Sequence, residues 1–311
     1  MIEVLDSAGR PTQGWIRPEM THSASDDGLR LRPLAVGDPG LLTPAGQVVH
    51  AGRRLGDLVP RRPEGITGHQ WSAATREEFD LVVGAADTGV PVVAVRIGPA
   101  APAGSAGQRA ERMRDAVCAA VGLPVLRIES PTLRPEPHGR RILAYVIDAR
   151  DYAGPADGEP ADRDDAPVGF RDIVGRLPDG RTGPVNDLGA LARATAVEAY
   201  VARQLADPIV RGLHVRWADG AAEGWSWVEV RPGRCLVERV IVREQRFRCG
   251  VDAPRLAEDL AAVAIGERLR DLAAGEPALV ARDELRRDIR ALRARREELV
   301  GGFAFDHLCV D

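Results

Sequence analysis

Arginine and tryptophan carry most of the chemistry this chain can offer. Arg231, Arg234, Arg239, Arg243, Arg246 and Arg248 are interspersed with Glu229, Glu238 and Glu244, and Trp217, Trp225 and Trp227 lie just upstream. Guanidiniums beside indoles are what a phosphate track with stacked bases requires. Strand faces of matched opposite charge have the same composition, so both readings stand at this point. Other chemistry is missing at the level of motif: there is no GxSxG word, P-loop, GxGxxG fingerprint or HExxH. His22, His50, His69, His138, His214 and His307 are isolated in the chain. Cys118, Cys235, Cys249 and Cys309 lack metal-ligand spacing and read as reduced thiols. Asp162, Asp164 and Asp165 are close together but lack the glycine and closing glutamate of a calcium loop, so they read as a solvated loop.

The elements that must position any site are clearest between Phe79 and Ile128. Phe79–Val83 and Val90–Ile97 are β-branched runs joined by Asp87-Thr88-Gly89, the chemistry of an antiparallel hairpin. Ala110, Met113, Val117 and Ala120 then recur at helical spacing, and Gly122 followed by Pro124 ends the helix. Val125–Ile128 is a buried strand. A strand-helix-strand order predicts a right-handed crossover, with the last strand parallel to the second strand of the hairpin.

This order and its local words resemble the PD-(D/E)XK nuclease-like domains, in particular the uncharacterised bacterial branch related to very-short-patch-repair endonucleases, over roughly residues 41–128. The resemblance implies a restriction-endonuclease-like mixed sheet with flanking helices. It places a metal-binding carboxylate at Asp80, puts Arg96 where a glutamate belongs and Gly98 where an aspartate belongs, and aligns Arg114-Asp115 eight residues before Gly122–Ile128. Such enzymes hold divalent ions between carboxylates on adjacent strands to activate water. A guanidinium in that seat opposes the ion: at ~4 Å and an effective dielectric of ~20, each unit-charge pair is worth about 4 kcal/mol, and a divalent ion about twice that. Arg96 is therefore expected to be the counter-ion of Asp80; the competing reading makes Arg96 a solvated strand end and Asp80 a cap of the hairpin. The family's catalytic lysine has no counterpart, because all 42 basic residues are arginine. With one Asn, three Tyr and five Phe, this composition is that of a GC-rich coding sequence. Arg114 is left as the candidate phosphate contact, though its high pKa makes it a poor proton donor.

The rest of the chain frames this stretch. Its 311 residues carry a net charge of -4 and a pI near 5.9, so any nucleic-acid contact must come from a local patch. The opening Met1-Ile2-Glu3 and the absence of a long apolar run predict a cytoplasmic protein with no membrane segment. Residues 1–40 read as an extended arm, 41–150 as the nuclease-like domain, 151–169 as an acidic Pro/Gly linker, and 170–311 as a C-terminal α+β domain with a three-stranded antiparallel sheet and a charged last helix. Within these, Leu41–Val59 reads as a helix and Ile142–Asp148 as a strand. Asp187 reads as the N-cap of a helix to about Ala206, and Pro254–Ala273 and Asp283–Leu299 as further helices. The three tryptophans are expected in a core, and the Leu285, Ile289, Leu292, Leu299 stripe to pack within the chain, with pairing across a dimer as the alternative.

Three functions are compatible with these residues. The first is a catalytically inactive nuclease-like subunit for binding or assembly, more narrowly in a nucleic-acid-processing or defence complex, with Arg109, Arg112, Arg114, Arg239, Arg243 and Arg246 as candidate nucleic-acid or partner contacts. The second is a protein-interaction scaffold or homo-oligomer without nucleic-acid contact. The third is an active endonuclease whose Mg²⁺ ligands are displaced, drawn from Asp80, Glu111, Asp115 and Glu129. The first two need no cofactor.

Overall fold

The computed structural model describes residues 31–34, 41–42, 47–153, 174–176, 182–184, 187–273, 278–301 and 304–305. Most of the expected arm and linker, and with them Asp162, Asp164, Asp165 and Cys309, lie outside these residues. In chain order the elements are β1 (Leu41–Leu42), β2 (Gln47–Arg54), α1 (Leu55–Leu58), α2 (Gly68–Ala74), β3 (Glu78–Ala85), β4 (Pro91–Gly98), α3 (Ala106–Val121), β5 (Val125–Glu129), α4 (Arg140–Ala153), β6 (Val174–Arg176), β7 (Thr182–Pro184), α5 (Ala190–Val201), β8 (Arg211–Arg216), β9 (Ala222–Arg231), β10 (Arg234–Gln245), α6 (Ala253–Arg270), β11 (Val280–Ala281), α7 (Arg282–Ala294) and β12 (Ala304–Phe305). The fold is mixed α/β: a large, mostly antiparallel open sheet flanked by helices.

The stretch from Phe79 to Ile128 folds as its residues dictate. β3 and β4 form the antiparallel hairpin, α3 follows, and β5 runs parallel to β4 with Arg96 beside Arg127 and Gly98 beside Glu129. Ser105 caps α3 by accepting the Gln108 N–H, and Gly122 ends it at φ +73, a left-handed position that a Cβ would penalise.

Two elements differ from expectation. Gln47–Arg54 is a strand rather than part of a helix, because it pairs with β3 from Gln47–Ala85 to Arg54–Glu78. Only Leu55–Leu58 is helical there. Arg140–Ala153 is a helix rather than a strand, entered through a π-turn at Pro135–Gly139. The edge of β5 that a following strand would have taken is occupied by β10, in antiparallel register from Ile241–Glu129 to Gln245–Val125. The three C-terminal strands β8, β9 and β10 form as expected, but they continue the same sheet instead of building a second one: the strand order is β1-β2-β3-β4-β5-β10-β9-β8-β12. The break read at 151–169 therefore divides the chain without dividing the sheet.

One face of the sheet is covered by α4 and α6, whose Ile142, Leu143, Val146, Leu256 and Leu260 pack on Leu81, Val95, Leu126, Ile128, Val240 and Val242. Gly224 lets α6 approach β9 closely; a Cβ there would lie 2.1 Å from backbone atoms of Ala257 and Glu258. α5 stacks outside α6, and it ends at Val201, short of the expected Ala206. Among the described residues the opposite face is covered at two places. α2 and α3 cover Phe79, Val82, Ala94 and Val125 at one side. At the other, α7 covers Leu213, Val215, Trp225, Trp227 and Cys235 with the stripe Leu285, Ile289, Leu292, while Trp217 and Leu299 pack at its margin. The tryptophans and the last helix thus pack within the chain, as their spacing predicted.

Candidate functional site

Between those two helical layers the sheet presents a band of charge. Strand alternation generates it: Ala94 and Val125 face α3, so Arg96 and Arg127, two residues on, face the same side further along. The parallel register sets Arg96 beside Arg127, and the antiparallel register with β10 sets Arg127 beside Arg243. Three guanidiniums abreast repel one another, so the arrangement requires acids between them.

The acids are present. Arg96 Nε lies 3.6 Å from Asp80 Oδ2 and Nη1 lies 3.8 Å from Glu77 Oε2, while the same Nη1 donates to the Glu78 carbonyl at 2.9 Å. Asp80 Oδ2 also accepts the Ile97 N–H at 2.7 Å. Asp80 is thus an ion-pair partner of Arg96 that also accepts a backbone N–H near the end of β4, remote from the hairpin turn at Asp87–Gly89. Burial pushes the Asp80 carboxyl up; the Ile97 N–H and the Arg96 guanidinium pull the other way. Next along the band, Arg127 reaches Glu111 at 2.6 Å and Glu129 at 3.1 Å. Arg243 joins Glu129 at 3.7 Å and Asp219 at 3.0 Å.

The aromatic end of the band is also matched. Glu223 accepts both the Trp217 indole N–H at 2.8 Å and the Trp225 indole N–H at 2.6 Å. Arg239 stacks 3.7 Å over the Trp225 ring and pairs with Asp288 at 2.6 Å. Arg295 lies 4.2 Å over Trp217 and binds Glu298 through two contacts. Five guanidiniums here stand among eight carboxylates, Glu77, Asp80, Glu111, Glu129, Asp219, Glu223, Asp288 and Glu298, so the band is acidic in sum.

The remaining residues singled out by sequence fall elsewhere. Arg114 is 1% exposed, clamped by Asp115 through two contacts and placed 5.8 Å over Phe79. It cannot reach an external phosphate, which corrects the expectation for it; its charge acts inward, as one of the influences lowering the Asp80 carboxyl. Glu111, Asp115 and Glu129 are each engaged by arginine. Among the described residues no three His, Cys, Asp or Glu side chains are grouped to hold a cation. Arg246 follows β10 at φ +53, its guanidinium against Gly122. Arg109 and Arg112 line an open cavity between α2 and α3.

Two features were missed in the sequence. Arg127 is the centre of the band, and its signal was available: Arg127 and Glu129 are two apart on one strand and must share a face. The pair of His214 Nδ1 and Glu258 Oε2, 2.5 Å apart and largely buried under α6, joins residues 44 apart with no local pattern to mark it. Comparison of the chain with protein-family models, with curated proteins and with solved structures finds no match.

Proposed function

We propose that this chain is a catalytically inactive, nuclease-like protein that serves as a binding or assembly subunit for a protein partner. The observation that carries the reading is the Arg96 guanidinium, held among Asp80, Glu77 and the Glu78 carbonyl where the resemblance calls for a divalent ion between carboxylates. Further support comes from the order of elements: the β3–β4 hairpin, α3, then β5 parallel to β4 is the order that a restriction-endonuclease-like core implies. The acidic sum of the band favours a protein partner over nucleic acid. The test is incubation of the purified protein with plasmid and with single-stranded DNA in Mg²⁺ or Mn²⁺. The expected result is no divalent-dependent cleavage. Cleavage that disappears in Asp80→Asn would overturn the proposal.

A further inference from the structure

The packing of α2 against α3 leaves a cavity of about 460 Å³, open to solvent, with His69 and Gln70 on one wall and Ala106, Arg109, Arg112 and Met113 on the other. Its size is in the range of ligand sites, and Ala106 and Met113 give its lining an apolar part. Its rim is cationic. Arg109 Nη1 donates only to the neutral Gly104 carbonyl. Arg112 is exposed and has no carboxylate partner among the described residues. Arg62 reaches the start of α2, 3.4 Å from the place of a Cβ on Gly68. The nearest acids on α3 are turned away: Glu111 is held by Arg127 and Asp115 by Arg114. None of the six residues lining the groove is acidic, so in a protein of net charge -4 it is a local surface that favours an anionic ligand.

We infer that the α2–α3 groove binds an acidic peptide segment of a partner protein, with Arg109 and Arg112 meeting its carboxylates and one apolar side chain seated on Met113. This rests on the reading of the chain as a binding subunit and names the chemistry of its partner. Bidentate guanidinium–carboxylate contacts supply orientation, and the apolar Ala106 and Met113 in the lining distinguish a peptide with a hydrophobic anchor from a bare polyanion. The chain's own acidic stretch, from Asp157 to Asp165, is the competing occupant, and a nucleic acid is the other.

The experiment is fluorescence anisotropy with a short labelled peptide of Asp and Glu around a single Leu, titrated with the full chain. Saturable binding that weakens as salt rises is expected, with a loss of at least about tenfold in Arg109→Glu/Arg112→Glu and in the peptide whose Leu is replaced by Ser. Arg270→Glu, exposed at the end of α6 on the other face of the sheet, should leave the affinity unchanged, and thermal melts confirm that each variant is folded. No binding, or binding indifferent to the arginine reversal, overturns the inference. So does tighter binding of a single-stranded oligonucleotide of equal charge at the same groove. A gain of peptide affinity on deleting residues 156–166 overturns it in favour of self-occupation. Divalent-dependent DNA cleavage would refute the reading as an inactive subunit without touching this titration, so the two failures are distinct.

Discussion

The charged band and the α2–α3 groove use the same side chain to opposite ends. On the band every guanidinium is answered: Arg96 by Asp80 and Glu77, Arg127 by Glu111 and Glu129, Arg243 by Asp219, Arg239 by Asp288, Arg295 by Glu298. In the groove, Arg109 and Arg112 have no acid within reach among the described residues. An arginine already paired within the fold has exchanged its hydration for internal bonds and has little left to offer a ligand. An unpaired one at the surface keeps its donors. Counting arginines in a sequence therefore overstates the binding surface wherever acids lie two residues away on a strand or across a ladder.

The contrast can be broken most severely at its centre. Replacing Arg127 by Met leaves Glu111 and Glu129, both largely buried, facing each other without their shared cation. A loss of about 3 kcal/mol is expected in urea unfolding, and Glu111→Gln in the same background should restore part of it. A shift under about 0.5 kcal/mol would mean that the band contributes no more than solvated pairs.

Arg96→Glu sharpens the contrast in the other direction. It gives the band the carboxylate the resemblance expects, beside Asp80 and Glu77. The variant should gain a melting temperature that rises with Mg²⁺ or Ca²⁺, worth about 1.4 kcal/mol at tenfold excess over Kd, while the parent protein shows none. A smaller effect, about 1 kcal/mol, is expected for Arg239→Ala, which removes the stack on Trp225 and the exposed pair with Asp288.

Asp80 supplies a pH signature. Its carboxyl is raised in the folded state, chiefly by burial, so the folded protein holds that proton more tightly than the unfolded chain. Its contribution therefore favours folding below the ordinary carboxylate value of 3.8 and is lost as pH rises through the folded-state value. Arg96→Ala removes one of the influences lowering that value and should move the Asp80 carboxyl titration further up, readable by carboxyl-carbon NMR. A downward move would show that Arg96 is not its counter-ion. The smallest effect belongs to the groove: Arg112→Ala should change stability by less than about 0.5 kcal/mol while weakening acidic-peptide binding.

Much of this was legible in the chain. Asp87-Thr88-Gly89 gave the hairpin turn, Gly122 and Pro124 the end of α3, and the alternation around Trp225 and Trp227 the β9 strand. What failed did so for a physical reason. Ile142–Ile147 is a continuous apolar run, which reads equally well as a strand or as a buried helix; β10, arriving from about a hundred residues downstream, takes the edge of β5 and leaves the run to fold back as a helix. Gln47–Arg54 became a strand because β3 offered it a partner, a preference that no local propensity contains. Arg114 was read as a contact for phosphate because the resemblance aligns Arg114-Asp115 with a basic-Asp word and a guanidinium suits a phosphate; its burial over Phe79 is a tertiary event.

The sequence by itself determined the local elements, because turns, caps and periodicity act over a few residues. It also determined the absence of lysine and the presence of Arg96 near the end of the β-branched run Val90–Ile97. Only the tertiary structure decided that one sheet runs through both halves of the chain, and that Arg96, Arg127 and Arg243 stand abreast and neutralised by acids. It alone left Arg109 and Arg112 without an acid among the described residues, because strand pairing and the approach of charges depend on contacts between residues far apart along the chain, and their distances are fixed only once the chain has folded.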